Sequence, residues 1–295
     1  MLLWIRASES AEPARTGTAA VSEAIRGPFT RVAGRAAGVI GFVLVITIVV
    51  AALLAPWLAT WDPFALSGPS LSKPSLNHIM GTDAIGRDLL SGLLYGARTS
   101  LLIAAAVGII AGICGVTIGM LAGYKGGITD DFLMRMTEVF QVIPRFFLAA
   151  VAIALFGPGV SRIILVLGLT SWPVLARVVR AEILTTKQLD FVLASEALGA
   201  SKLHLFRHVL LPQVLPAVLV LLGLLMGQVL LTEASLGFVG LGDPNVMTWG
   251  MLAGQAQGFF RVAWWLAVFP GITISAAVLG FNLIADALSS AVQRR

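Results

Sequence analysis

Long apolar runs separated by short polar stretches dominate the sequence. A helix needs roughly 20 consecutive apolar residues to cross the hydrocarbon core of a bilayer. Six runs reach that order of length, at about residues 36–58, 99–124, 132–156, 163–181, 214–232 and 265–288. The pattern therefore predicts an all-α membrane protein with six transmembrane helices.

The composition agrees with this prediction. The chain is 58% hydrophobic and 12% charged, with a mean hydropathy of +0.93, whereas a soluble domain has roughly 25% charged residues. Its single cysteine, Cys114, lies inside an apolar run, so it can form neither an internal disulfide nor a Cys/His metal site. The net charge of +5 is better explained by membrane orientation than by nucleic-acid binding, which we do not expect.

The distribution of basic residues predicts the orientation. With six spans, both termini and the even-numbered loops share one side, and most Lys and Arg residues fall there. The other side has only Lys73, Arg87, Arg98, Arg162 and Arg261. The positive-inside rule then places the termini in the cytoplasm. We expect basic cytoplasmic tails at 1–35 and 291–295, an extracytoplasmic connection over 59–97, and a five-helix core over 98–290.

The polar stretch 190–212, DFVLASEALGASKLHLFRHVLLP, carries too many charges to lie in hydrocarbon. Phe191, Ala194 and Leu198 recur at spacings of three and four, and Asp190 is placed as an N-cap. The stretch therefore predicts an amphipathic helix over about 190–206 at the membrane surface. Pro212 is expected to mark a fresh start into the fifth span.

The spacing from Gly199 to Val209, Leu211 and Pro212 resembles the cytoplasmic EAA loop of bacterial binding-protein-dependent ABC importers. The resemblance implies a coupling helix that docks in a cleft of an ATPase subunit. An ordinary interfacial helix is the alternative. The residues expected to take part in coupling are Phe191, Ala194, Ser195, Glu196, Ala197, Gly199, Ala200, Leu203 and Phe206.

The EAA positions themselves depart from the family pattern. They fall on Leu193, Ala194 and Ser195, so the usual acid is absent, and Glu196 follows three positions later. A helix turns about 100° per residue, which leaves Glu196 roughly 60° from the family's acidic position. We expect Glu196 to replace that acid in part.

A second motif lies before the second span, where residues 78–101 read HIMGTDAIGRDLLSGLLYGARTSL. This motif resembles the C-type permease subunit of dipeptide, oligopeptide and nickel importers. From the residues themselves, Asp83 and Asp88 are expected to cap turns, with Arg87 paired to either. An extracytoplasmic elbow is the favoured interpretation, and a substrate contact is the alternative.

Five glycines recur along the second span and fall within an arc of roughly 80°. They are Gly108, Gly112, Gly115, Gly119 and Gly123. Such a ridge lets another helix approach closely. We therefore predict that it packs against a partner helix.

Polar residues inside the spans are candidates for the translocation pathway, because ionisable groups are costly in lipid unless they pair or face water. They are Glu138, Arg145, Gln228, Glu233 and Asn282. Glu138 and Arg145 lie seven residues apart and so on nearly one helix face, which allows an ion pair between them or with a shared partner. Pro144 is expected to kink that helix. A structural role for the pair is an equal alternative.

Residues 233–257 are apolar and glycine-rich, which suits a re-entrant or surface-lying segment. They resemble the family's stretch that faces the binding protein. Asn245 and Trp249 are equally compatible with ordinary interfacial positions.

No motif for chemistry is present. The sequence has no G-x-x-x-x-G-K-[ST] phosphate loop and no G-x-S-x-G or H-E-x-x-H motif. His204 and His208 have metal-compatible spacing, but a solvated helix face is the simpler explanation. We expect no enzyme activity, no catalytic residue and no metal or cofactor bound by this chain. By resemblance, ATP and Mg²⁺ would bind to partner ATPase subunits.

Together the motifs imply the permease subunit of an ABC importer for di- or oligopeptides or a related solute, with a type I importer fold, in the bacterial inner membrane. The implied partners are a homologous B-type permease, two ATP-binding subunits, an extracytoplasmic binding protein and membrane lipid. A self-sufficient secondary transporter or channel is the alternative, as is a structural membrane scaffold.

Overall fold

The computed structural model describes residues 36–292 of the chain. The expected tail 1–35 and the last residues of the expected tail 291–295 lie outside this part. Between them the chain is helical, and its only extended pairing there is an isolated bridge between Thr82 and Asp88. The predicted all-α class is confirmed.

Eleven helices and two short helical turns follow one another in this part of the chain. They are α1 (Ala36–Leu53), α2 (Ala55–Leu58), α3 (Leu89–Lys125), α4 (Gly127–Val142), α5 (Arg145–Phe156), α6 (Val160–Thr186), α7 (Asp190–Ala197), α8 (Lys202–His204), a π-helical turn (Leu205–Leu210), α9 (Leu211–Phe238), α10 (Trp249–Gln255), a 3-10 turn (Ala256–Gly258) and α11 (Trp265–Val292). The stretch from α8 to α9 is one continuous helix, Lys202–Phe238.

Five helices are long and apolar enough to cross a membrane, namely α1, α3, α6, the continuous helix α8–α9 and α11. The pair α4 and α5 supplies a sixth crossing if the two are one broken span, because they bend by 74° at their junction. Six spans are therefore compatible with the structure. The predicted kink at Pro144 is a complete break: Ile143 and Pro144 both have extended backbone, as proline and its preceding residue favour.

Two spans begin about ten residues earlier than predicted. Helix α3 starts at Leu89 instead of near residue 99, because the Asp88 carboxylate caps it by accepting the Ser91 N–H at 2.8 Å. The fifth span starts at Lys202 instead of near 214. Pro212 does not restart it, because the preceding π-turn carries the helix through the proline: the Leu211 N–H reaches back to the Phe206 carbonyl.

The glycine ridge of α3 contacts two helices, where the sequence predicted one. An added Cβ would lie 2.5 Å from a Leu175 side-chain atom at Gly115 and 2.5 Å from the Ala176 carbonyl oxygen at Gly119, so α6 packs directly on this part of α3. Gly108 and Gly112 instead face side chains of α9. Helix α3 is long enough to meet α9 first and α6 afterwards.

The connection before α3 folds back onto the start of that helix. His78 Nδ1 lies 2.9 Å from Asp88 Oδ1, and both residues are buried. Asp83 Oδ1 accepts the backbone N–H of Arg87 at 2.9 Å. The predicted ion pair of Arg87 is wrong for the described residues, since its guanidinium lies 5.3 Å from the centre of the Phe64 ring and both carboxylates are engaged elsewhere.

Residues 233–257 fold as the end of α9, a loop and the short helix α10, which packs against α9, α3 and α11. Trp249 is 1% exposed, and its indole N–H donates to the Leu93 carbonyl at 3.1 Å. It is a core residue and not an interfacial one. Asn245 lies exposed in the loop, where its backbone N–H donates to Asp243.

Candidate functional site

Helix α7 is the short polar helix between α6 and α8. Val192 is fully buried and attaches α7 to the core, while Phe191 is 46% and Leu193 50% exposed. The N-cap position belongs to Leu189, and Asp190, predicted as the cap, is the first helical residue. An acid in the first turn still favours the helix through the helix dipole. Helix α7 thus has one face attached to the core through Val192 and another face exposed.

Gly199 ends this helix. Its φ of +80° is in the left-handed region that favours glycine. The Gly199 N–H donates to the Glu196 carbonyl at 2.9 Å, and the Ala200 N–H donates to the Ser195 carbonyl at 3.1 Å. These bonds satisfy the last carbonyls of α7. The amphipathic helix therefore stops at Ala197, where the sequence predicted about 206.

The predicted coupling residues consequently divide between two helices. Phe191, Ala194, Ser195, Glu196 and Ala197 lie on α7. Two further predicted residues lie in the next helix, because Gly199 turns the chain before them. They are Leu203, which is 75% exposed, and Phe206, which packs on the Tyr124 ring at 4.7 Å between centroids.

Glu196 is directed at helix α3, where its Oε1 accepts a hydrogen bond from the Tyr124 hydroxyl at 3.2 Å. Tyr124 thus meets α7 through its hydroxyl and the start of the next helix through its ring. The carboxylate expected to replace the family's acid already has a partner within the chain. The family's acidic position is occupied by the half-exposed Leu193.

Two pairs of polar or charged side chains connect α4 to α6, and the sequence did not reveal them. Arg180 on α6 donates twice to Asp130 on α4, and Arg177 donates to the side chain of Gln141. Arg180 and Asp130 lie 50 positions apart in the sequence, so no local pattern could identify them as partners. The pairs fix α4 against the helix that leads into α7.

The polar residues predicted for the pathway do not converge on one site. Arg145 Nη1 donates to Gln228 Oε1 at 3.3 Å and so joins α5 to α9. Glu138 is exposed on α4 and, within residues 36–292, forms no ion pair with Arg145. That predicted pair is wrong because the helix breaks between the two residues and α5 turns away.

Glu233 is 2% exposed, and its Oε2 accepts the Ser100 hydroxyl at 3.2 Å. Ser100 Oγ in turn accepts the Trp249 backbone N–H at 3.2 Å. These two hydrogen bonds link α9, α3 and α10. Glu233 is therefore part of the buried contact between the three helices. Asn282 on α11 faces Gly227 of α9, with its Oδ1 3.3 Å from where a Cβ would stand.

His204 and His208 lie exposed at the start of the fifth span. The rings of His204 and His208 stack with centroids 4.8 Å apart. No group of three or more His, Cys, Asp or Glu in the part of the chain that the structure describes is placed to hold a metal ion.

Comparison with known proteins identifies the family. The family model described as "Binding-protein-dependent transport system inner membrane component" matches residues 115–295. The match includes α7 and Gly199. It begins within α3, so the connection over 59–88 lies outside it.

Curated relatives cover more of the chain. The Di/tripeptide transport system permease protein DppC of Pseudomonas aeruginosa is 36% identical over 79% of this chain and 80% of the relative. The Dipeptide transport system permease protein DppC of Alkalihalophilus pseudofirmus is 32% identical over 90% of this chain and 88% of the relative. A probable D,D-dipeptide permease of Escherichia coli, DdpC, is 34% identical over 85% of each.

Among solved structures, a chain of the inward-facing MetNI methionine ABC transporter matches with a TM-score of 0.57 and 21% identity. The match covers 69% of this chain and 97% of that chain. The likeness shows that the two share a fold.

Proposed function

Because this chain belongs to the family of binding-protein-dependent transport system inner membrane components, we propose that it forms half of the translocation pathway of an ATP-driven importer of di- or oligopeptides. Membership makes it a permease subunit of an ABC importer, a class that works with ATP-binding subunits and a substrate-binding protein. The proposal adds the transported solute, the partner permease and the orientation of this chain in the membrane. It also assigns the helix that docks on the ATPase and the polar residues of the pathway.

We propose a peptide as the solute because this chain is similar to permeases named for dipeptides and tripeptides. The similarity spans 79% to 90% of this chain at 32% to 36% identity, whereas the match to the methionine transporter has 21% identity. Sequence similarity over nearly the full length thus favours peptides over free amino acids.

Helix α7 is the proposed point of contact with the ATPase. It is short, exposed on one face and anchored by Val192 on the other. Tyr124 and Phe206 connect it to α3 and to the fifth span. A displacement of α7 by the closing ATPase therefore moves two spanning helices, which is how a rigid docking element changes access to a central cavity.

The proposed assembly contains this chain, a homologous B-type permease, two ATP-binding subunits and an extracytoplasmic binding protein. The distribution of Lys and Arg supports an arrangement with both termini and α7 in the cytoplasm. In that orientation the loop 239–248 and α10 lie on the side of the binding protein. Arg145 and Gln228 are the proposed polar residues of the pathway.

The first test combines isolation and uptake. The chain is purified from its native membrane in mild detergent, and the accompanying proteins are identified by mass spectrometry. We expect a second permease, ATP-binding subunits and a peptide-binding protein. In parallel, uptake of labelled dipeptide, tripeptide and free methionine is measured in cells with and without the gene for this chain.

Loss of peptide uptake with normal methionine uptake supports the proposal. Loss of methionine uptake alone would overturn the proposed solute. Transport by the purified chain alone in vesicles, without any ATP-binding subunit, would contradict the ATP-driven mechanism.

A further inference from the structure

A cleft of about 610 Å³ opens beside α7, at the ends of three helices. Three of the four lysines in the whole chain line it. The lining residues are Tyr124, Lys125, Lys187, Gln188, Leu193, Glu196 and Lys202. We call this cleft the lysine cleft.

The three lysines come from separate parts of the fold. Lys125 is the last residue of α3, Lys187 directly follows α6, and Lys202 is the first residue of α8. Lys187 Nζ donates to the Gly123 carbonyl at 2.9 Å. Lys125 and Lys202 are exposed. The fold therefore brings together basic side chains that are far apart in sequence.

Helix stability does not explain the whole group. A cation at a helix C-terminus interacts favourably with the helix dipole, which accounts for Lys125 and Lys187. Lys202 lies at a helix N-terminus, where the dipole disfavours a cation. The positive-inside rule accounts for a basic residue on this side of the membrane, but it does not require Lys202 to share a cleft with two other lysines.

The charges of the cleft are unbalanced. Among residues 36–292, Glu196 is the only acidic residue that lines it, and its Oε1 already accepts the Tyr124 hydroxyl. Three lysines and one glutamate thus line the cleft, and of the three ammonium groups that of Lys187 donates to a backbone carbonyl. Like charges held close together repel each other unless an anion enters between them. The cleft is therefore suited to a further negative group.

We propose that the lysine cleft receives carboxylate side chains of the ATP-binding subunit when that subunit docks on α7. The inference rests on the proposed coupling role of α7. A protein carboxylate is favoured over a lipid headgroup because the same cleft is lined by Glu196 and the half-exposed Leu193, both on the docking helix. With leucine at the family's acidic position, the permease side of this contact supplies the positive charge.

The test uses the intact complex isolated with its ATP-binding subunits. A carbodiimide joins a lysine amine directly to a carboxyl group only where the two are in contact. Mass spectrometry should locate cross-links from Lys125 or Lys202 to Asp or Glu of the ATP-binding subunit. Lys73, in the connection before α3, serves as the internal control and should form none with that subunit.

Matched variants separate charge from reactivity. The double variant Lys125→Arg/Lys202→Arg keeps both charges but lacks the reactive amines, so the cross-links at these positions should vanish while the ATP-binding subunit still co-purifies. Lys125→Gln/Lys202→Gln should weaken binding of that subunit by about fivefold, since exposed ion pairs contribute roughly 0.2–1 kcal/mol each. The loss should shrink at high salt, where such pairs are screened.

Cross-links to the ATP-binding subunit that depend on these lysines support the proposal. Undiminished binding by the Gln variant, or cross-links from that subunit only to other places, overturns it while leaving the coupling role of α7 intact. A phospholipid retained by the wild type and lost from the Gln variant, without such cross-links, also overturns it. If no ATP-binding subunit co-purifies with the wild type, the proposed function fails first and this inference with it.

Discussion

Arg180 on α6 binds Asp130 on α4 through two parallel hydrogen bonds, from Nε to Oδ1 and from Nη2 to Oδ2, each 2.5 Å long. The side chains are 33% and 11% exposed. A two-point contact of this kind fixes the relative orientation of the groups as well as their distance. It holds α4 against α6, the helix that leads into α7.

We expect Asp130→Asn to destabilise the isolated complex by about 1–3 kcal/mol, less than the 3–5 kcal/mol of a fully buried pair because this pair is partly solvated. Asp131→Asn is the control, since it removes a neighbouring but exposed carboxylate. The measurement is the Tm of the detergent-solubilised complex. Equal Tm values for the two variants would show that the ion pair does not stabilise the complex.

Gly199 offers a way to separate backbone strain from docking. Its φ is +80°, and within residues 36–292 no atom outside Gly199 and its two chain neighbours lies within 4 Å of the place where a Cβ would stand. A side chain there costs roughly 1–2 kcal/mol in backbone conformation without any internal clash, and less for Asn, which visits this region routinely. If Gly199 is required only for its left-handed backbone conformation, Gly199→Asn should transport normally, because Asn adopts this conformation at little cost.

Gly199→Arg should insert into the membrane normally but abolish uptake, because a bulky charge projects from the surface on which the ATPase is proposed to dock. Uptake is measured per unit of protein in the membrane. Normal uptake by Gly199→Arg would count against docking at this position, and failure of Gly199→Asn alone would point to a surface that tolerates no side chain.

Most of the spans and the start of α7 could be predicted because long apolar runs, and the polar stretch between two of them, are local properties of the sequence. Contacts between distant residues could not. The pairing of Asp130 with Arg180 and that of Tyr124 with Glu196 depend on how α3, α4, α6 and α7 pack together. Glu138 and Arg145 illustrate the opposite error, since helical spacing implies a shared face only while the helix continues.

The glycines of α3 should differ sharply in their tolerance of alanine. At Gly119 an added methyl group would lie 2.5 Å from the Ala176 carbonyl oxygen, whereas at Gly108 the nearest atom is 3.8 Å away. Gly119→Ala must push α6 away from α3, and overpacking of this kind typically costs about 1–3 kcal/mol. Gly108→Ala is the control and should be neutral or slightly stabilising. The measurement is the Tm of both variants. Equal Tm values would show that α3 and α6 can move apart at Gly119 without loss of stability.

Glu233 and Arg145 should respond differently to substitution, although both are polar residues within spans. Glu233 is buried and accepts the Ser100 hydroxyl, while the half-buried Arg145 hydrogen-bonds only the exposed Gln228 among the side chains described. Glu233→Leu leaves the Ser100 hydroxyl without its acceptor, which costs about 1–3 kcal/mol, and Glu233→Gln restores an acceptor. We therefore expect Glu233→Leu to lower the yield and Tm of the complex and Glu233→Gln to recover most of both, with uptake per folded complex unchanged.

Arg145→Gln should instead leave the yield and Tm close to the wild-type values and reduce uptake per folded complex, as expected for a residue of the pathway. The measurement is peptide uptake by reconstituted complexes, normalised to the amount that elutes as folded protein. Reduced uptake per complex in Glu233→Gln, with normal uptake in Arg145→Gln, would reverse the assignment. The buried carboxylate would then serve transport, and the half-buried Arg145 guanidinium would serve only to hold α5 against α9.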